Sequence, residues 1–229
     1  MAEQLGELKK PSAEGLEGER KLFLVPLILV PRESDSELKG IVERYWSQVQ
    51  AQIENLESRL GAVRRMYHEL IPGGGDEAVK AIEELSSETY RVVKSGLDKG
   101  AELEAMEDGD LITELMDWTK CLAVGLQNER VWNTVYEAFA AVQRKRNEHI
   151  AMRIDQTLEG GEAGVVLIRE GHQVQFPTDI EVFYVAPPAL DEIKRWLRTR
   201  EMGPSPAAAE GTEDGGEIAT EAEGDEQAD

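Results

Sequence analysis

LFLVPLILV, residues 22–30, is the longest unbroken apolar run in the sequence. Such a run favours a strand that is covered on both faces, as in a parallel sheet. Pro26 lies inside the run and cannot donate a hydrogen bond to a neighbouring strand, so we expect either a bulge or an edge position there. The run is too short to cross a bilayer.

The segments around this run predict an α/β fold. Apolar residues recur every three or four positions from Leu38 to Leu60, which predicts a long amphipathic helix capped by Ser34 or Ser36. A second strand is predicted over residues 62–70. Because the strand–helix–strand order has short joins, we expect these two strands to pair in parallel.

Further elements follow along the chain. Residues 76–161 are predicted to be almost entirely helical, and their last helix covers residues 130–159. Strands are predicted over residues 164–169 and 179–185, before a final helix after Pro188. The expected architecture is a small, mainly parallel mixed sheet of about four strands, with a large helical insertion at about residues 76–161 and a C-terminal helix.

Composition divides the chain into three parts. Residues 1–20 lack hydrophobic periodicity and are predicted to be a mobile arm, and residues 21–200 a single α/β domain. Residues 203–229 contain nine acidic residues and no basic one, so we expect residues 201–229 to form a disordered acidic tail.

The formal net charge is −21. A surface of this charge repels phosphates and anionic lipids, so we expect neither nucleic-acid nor membrane binding. A basic protein partner for the tail is one alternative. The absence of a signal peptide predicts a cytoplasmic protein. The single cysteine, Cys121, allows no disulfide within the chain, and its apolar helical context predicts a core position.

The candidate site follows from strand ends. His68 and Glu69 lie at the end of the second predicted strand, and Gly171 and His172 follow the third. Ligands of open α/β sheets bind beyond the carboxyl ends of strands, and histidine there can act as a general base, an acid or a metal ligand. The alternative interpretation is two ordinary loop histidines.

Arg146 lies on the apolar stripe of the long helix, with Asn147 beside it. A buried lone charge is costly, so Arg146 needs either a ligand, a structural carboxylate or access to the surface. Glu104 and Glu107 would share one helical face. With a nearby histidine such a pair could hold a divalent metal, and the candidate ligands are His68, Glu104, Glu107 and His172.

The run from Arg146 to Ala151, the apolar strand at residues 164–168 and the following Gly171-His172 resemble the closing motifs of the TraB/PrgY/Tiki and erythromycin-esterase-like group. The resemblance covers about residues 144–174. It implies a hydrolase-like pocket of histidines, glutamates and Arg146, with metal dependence in some branches. Residues 176–188 are similar to a signature of prokaryotic proteins to which no function is attached.

Three hypotheses follow. The first is a hydrolase-like enzyme in which His68, Glu69, Arg146 and His172 are catalytic, Asn147 and Gly171 bind the substrate, and a divalent metal is a cofactor. The second is a non-catalytic binding or regulatory protein that keeps the pocket architecture. The third is a homo-oligomeric scaffold whose exposed apolar stripes are interfaces.

Overall fold

The computed structural model describes residues 18–31 and 33–201. The predicted mobile arm and acidic tail fall almost wholly outside these residues. The described chain contains five strands and six helices in the order β1 (Arg20–Pro26), α1 (Ser36–Leu60), β2 (Val63–His68), α2 (Gly75–Leu85), α3 (Ser87–Asp98), β3 (Glu102–Glu104), α4 (Gly109–Ala123), α5 (Glu129–Thr157), β4 (Ala163–Ile168), β5 (Ile180–Tyr184) and α6 (Pro188–Glu201).

The α/β prediction is confirmed. The five strands form one sheet in the order β3-β2-β4-β1-β5, and every neighbouring pair is parallel. The additional strand, β3, lies inside the predicted helical insertion. Its sequence is Glu-Leu-Glu, too short and too polar to stand out as a strand in the sequence.

The expected direct pairing of the first two strands is wrong. β4 lies between β1 and β2 and pairs with both. All six residues of β4 are buried, which suits a strand at the centre of a parallel sheet. The order of the elements therefore predicted the parallel direction. The strand at the centre of the sheet, β4, comes almost a hundred residues later in the sequence.

Pro26 is tolerated because the neighbouring strand has already ended. β5 pairs with β1 only as far as Leu24, where Val185 N–H donates to the Leu24 carbonyl at 2.8 Å. Backbone groups alternate sides along a strand, so the missing N–H of Pro26 would point past the end of β5. The Pro26 carbonyl accepts instead from the Tyr45 hydroxyl at 2.5 Å.

α1 covers one face of the sheet. Its N-cap is Asp35, between the two predicted serines, and the carboxylate accepts from the Glu37 N–H at 2.8 Å. Burial follows the predicted three- and four-residue spacing through Leu38, Tyr45 and Val49. α3 packs on the same face, where Gly96 lies against the Met66 side chain of β2.

The C-terminal half of α5 covers the other face. Ile150, Ile154 and Leu158 form a core there with Leu22 and Tyr67 of the sheet. The N-terminal half of α5 instead packs against α4 as a helical hairpin. Cys121 lies on α4 and is exposed, so its predicted core position is wrong.

The chain divides into two compact units, one ending at Ile193 and the other beginning at Lys194. The described part of the second unit is the end of α6, where the Arg200 guanidinium lies 4.4 Å from the Trp196 ring centre. The single domain over residues 21–200 stays a prediction. Among the described residues, no helix combines the length and the apolar character that a bilayer crossing requires.

Candidate functional site

The predicted site is built around a buried ion cluster. The guanidinium of Arg146, on α5, pairs with Glu69 at the end of β2 and with Glu107, which follows β3. Arg146 Nη2 donates to Glu69 Oε1 at 2.9 Å, and Nε donates to Glu107 Oε2 at 2.9 Å. Nη2 also contacts Glu107 Oε1. Arg146 therefore has the partner that its burial requires, in the form of two structural carboxylates.

Further hydrogen bonds complete the cluster. The backbone N–H of Arg169 donates to Glu69 Oε2 at 2.6 Å, and its side-chain Nε donates to Oε1 at 3.0 Å. The Leu70 N–H donates to Glu107 Oε1 at 3.1 Å. Leu70 has a φ of 72°, an uncommon conformation for a residue with a side chain. This backbone turn aims the Leu70 N–H at the carboxylate.

The two charges of the Arg146–Glu69 pair stabilise each other in their ionised forms. Burial acts to raise the pKa of Glu69, but the hydrogen bonds from Arg169 and Arg146 outweigh it and hold that pKa below its ordinary value. Burial acts to lower the pKa of Arg146, but the hydrogen bonds and negative charges of Glu107 and Glu69 together outweigh it, so that pKa is raised. Arg146 is only 5% exposed, and its donors point at protein carboxylates.

His68 lies on the opposite face of the sheet from this cluster. Side chains alternate between faces along a strand. Tyr67 bonds to Thr157 of α5, and Glu69 bonds to Arg146 of the same helix. Met66 contacts Gly96 of α3 instead, and His68, two residues later, shares its face. His68 therefore points towards the layer of α1 and α3, away from the Arg146 cluster.

His68 is neutral and enclosed. Its Nδ1–H donates to the Glu69 carbonyl at 2.5 Å, and no described residue donates to its buried Nε2. Burial lowers the pKa of His68 to about 4. At 1% exposure the imidazole does not meet solvent.

His172 lies on the face of the cluster. It is half-buried, its ring centre is 5.8 Å from that of Phe176, and no described residue hydrogen-bonds its buried Nδ1. Burial lowers the pKa of His172, and the nearby negative charge of Glu69 opposes that shift. The preceding Gly171 has a φ of 80°, which glycine adopts without strain, and this turn presents the imidazole. The structure therefore brings Glu69, Arg146 and His172 together and leaves His68 apart.

The metal-ligand candidates are also separated. Glu104 forms an ion pair of 2.7 Å with Arg65, which lies on β2. Glu107 accepts a hydrogen bond from Arg146. Within residues 18–31 and 33–201, no group of three or more histidine, cysteine, aspartate or glutamate side chains is arranged to hold a metal ion. Asn147 follows Arg146 on α5 and is half-buried.

Sequence reasoning missed Arg169 and the structural role of Glu107. Arg169 directly follows β4, which is the strand next to β2, so it comes level with Glu69. The signal that could have found it is a charged residue at the end of a fully apolar strand. Its partner could be identified only once β4 was known to lie beside β2.

A cavity of about 380 Å³ opens beyond the C-terminal end of β1, where ligands of parallel sheets commonly bind. Its walls are residues 28–31, Lys39, Val42, Glu43 and residues 83–88. None of the four predicted catalytic residues lines it. The predicted residues and this cavity are therefore separate features of the sheet edge.

Comparison of the chain with protein-family models, with curated proteins and with solved structures found no match in any of the three. The resemblance of residues 144–174 to the TraB/PrgY/Tiki and erythromycin-esterase-like group stays a prediction.

Proposed function

We propose that this chain is a non-catalytic interaction protein that presents the α4–α5 helical hairpin to a protein partner. The observation that carries the proposal is that α4, all of whose residues the structure describes, contains no buried residue. Two helices alone cannot enclose a core, and bundles do so only when further helices cover the open side. The hairpin has the composition of a four-helix bundle but only two of the four helices.

One flank of the hairpin is apolar. We infer the line along which α4 meets α5 from half-buried residues, which include Leu115, Trp118 and Leu122 on α4 and Val135 and Ala138 on α5. The residue that follows each of these in the sequence is rotated by about 100° around the helix axis. Because the helices are antiparallel, these positions fall on the same side of the hairpin. We call this surface the apolar face, and its residues are Ile112, Met116, Thr119, Ala123, Trp132, Tyr136 and Phe139, of which Thr119 alone is polar.

Two aromatic side chains of the apolar face, Trp132 and Tyr136, pack on each other and are exposed, whereas Phe139 is half-buried. Trp132 and Tyr136 stack with ring centres 5.0 Å apart and planes 7° from parallel. They are 41% and 47% exposed, and Met116 is 54% exposed. Contiguous exposed apolar surface of this kind is typical of a protein-binding site.

The opposite flank is polar. Its residues precede the contact line by one position, and they are Asp110, Glu114, Asp117, Cys121, Thr134 and Glu137. A hairpin that merely lacked a neighbour would have no reason to separate its two flanks in this way. The separation favours a partner on one side only.

The arrangement at the predicted pocket supports a non-catalytic protein. Arg146 and Glu69 are engaged with protein groups, and His68 lies across the sheet with a pKa near 4. A general base needs to reach its substrate and to titrate near the working pH. These residues have the environment of a structural cluster.

The test is the stability of variants on the apolar face. Trp132→Glu and Tyr136→Glu should change the free energy of unfolding by less than about 0.5 kcal/mol, because an interaction surface contributes little to the isolated fold. Ile150→Ala, in the core beneath the same helix, should lose about 2–5 kcal/mol. A loss of that size in both surface variants would show that the face belongs to the core and would refute the proposal.

A hydrolase-like activity is the second candidate. The observation that favours it is His172 beside Glu69, whose Nδ1 has no hydrogen-bond partner among the described residues. Metal analysis of the purified protein and of His172→Ala tests it. Stoichiometric metal that is lost in the variant would favour the enzyme. Metal absent from both samples, together with no hydrolysis of activated ester substrates, would count against it.

A further inference from the structure

Resting on the proposed function, we propose that the partner of the apolar face is a second copy of this chain. Two hairpins would stack face to face about a two-fold axis and complete a four-helix bundle. Such an interface is isologous, because each copy contributes the same residues to it. The apolar face meets the three requirements of this arrangement, which are area, charge and a mainly apolar surface along the hairpin.

The area suits a reversible dimer. A 15-residue helix such as α4 is about 22 Å long, and two helices side by side are about 20 Å wide, so each copy offers about 450 Å² of flat face. Side chains roughen the face, and the pair therefore buries about 1,000 Å² or more. That value lies at the lower end of specific interfaces, where we expect a Kd on the order of micromolar.

The charges around the apolar face are self-complementary. If α5 stacks on α5 of the partner subunit in reversed direction, Glu129 near the tip comes level with Arg144 of the partner subunit near its base. This two-fold arrangement pairs opposite charges at both ends of the interface, which favours self-association over a partner of one charge.

The stripe runs the length of the hairpin and is interrupted on α4 by Thr119. Ile112 and Phe139 lie towards its base, Met116 and Tyr136 lie at its middle, and Ala123 and Trp132 lie towards its tip. In a bundle such residues form the layers between helices.

The first experiment measures mass by light scattering on the full chain between about 1 and 200 µM, a range that spans the expected micromolar Kd. The mass should rise from 25.5 kDa towards twice that value. Trp132→Glu should remain monomeric over the whole range. Thr134→Glu, a matched change on the polar flank of the same helix, should dimerise as the unmodified chain does.

A second experiment identifies the arrangement. Arg144→Glu should weaken dimerisation at least several-fold. Adding Glu129→Arg should restore it, because α5 stacks on α5 of the partner subunit in reversed direction, whereas adding Asp110→Lys, on the polar flank, should not. If Glu129→Arg does not restore association, the face-to-face geometry is wrong.

The outcomes separate the two proposals. A chain that stays monomeric at every concentration, while Trp132→Glu keeps its stability, would overturn self-association and leave an interaction surface for another partner. Equal dimerisation of Trp132→Glu and the unmodified chain would also overturn it. If Met116→Glu, Trp132→Glu and Tyr136→Glu all fail to fold, both proposals fail together.

Discussion

Arg146 and Glu69, 77 positions apart in the sequence, are joined by a hydrogen bond of 2.9 Å between Nη2 and Oε1. Both side chains are buried, and Glu107 shares the guanidinium. The bond ties α5 to the end of β2 and so holds the base of the helical hairpin against the sheet. The buried ion cluster, the most polar part of the described interior, therefore connects the sheet to the helix that carries the apolar face.

Arg146→Met should lose about 3–5 kcal/mol in the free energy of unfolding, because it leaves Glu69 and Glu107 buried without the cation between them. Chemical denaturation followed by circular dichroism measures this loss. The triple variant with Glu69→Gln and Glu107→Gln should recover a large part of it, since no uncompensated charge remains. A loss below about 1 kcal/mol in the single variant would contradict the buried pairing.

Stability should fall between pH 6.5 and about 4 because of His68. The pKa of this imidazole in the folded protein is about 4, below the ordinary value of about 6.5 that it has when unfolded. In that window the unfolded chain binds a proton that the folded chain does not. The contribution is fully present above pH 6.5, and roughly 3 kcal/mol is lost by pH 4.

The His68→Gln variant isolates this effect. Its unfolding free energy should vary less with pH across the same window than that of the unmodified chain, whatever its absolute value. The Glu69 contribution disappears at lower pH, because its pKa is held below the ordinary value of 4.5. Parallel pH profiles of the two proteins would show that His68 titrates normally in the fold.

Gly164→Ala and Gly40→Ala should change stability in opposite directions. A Cβ at Gly164, on the central strand, would lie 3.2 Å from a Tyr67 ring carbon and 3.3 Å from a Leu158 methyl group, and we expect a loss of about 1–3 kcal/mol. A Cβ at Gly40, inside α1, meets no atom within 4 Å. Removing a helix-interior glycine there should gain about 0.5–1 kcal/mol. Thermal unfolding of both variants checks the pair, and a stabilised Gly164→Ala would contradict the packing of β4.

The Cys121 thiol should react with a thiol reagent in the native protein as readily as in the unfolded chain, because it is exposed on α4. The reaction should label one thiol per chain. Since Cys121 lies on the polar flank, the labelled protein should self-associate like the unlabelled one. If the native thiol reacted many times more slowly than the thiol of the unfolded chain, Cys121 and its surroundings on α4 would be buried.

Much of the fold followed from local pattern. The apolar run at β1, the spacing in α1 and the long stripe in α5 are each determined by nearby residues, because helix and strand periods are local properties. The α/β class and the parallel direction of the strands followed from their order. The need of Arg146 for a partner also followed from the sequence, since burying an isolated charge is costly in any fold.

The tertiary structure decided which strands are neighbours, and through them the site. The insertion of β4 between β1 and β2 brought Arg169 to Glu69, and the alternation of side chains put His68 and Glu69 on opposite faces. Sequence periodicity marked the stripe along α5 but could not show that the described fold leaves Val131 and Tyr136 on it exposed. Burial depends on what packs from distant parts of the chain, so only the assembled structure shows that α4 contains no buried residue.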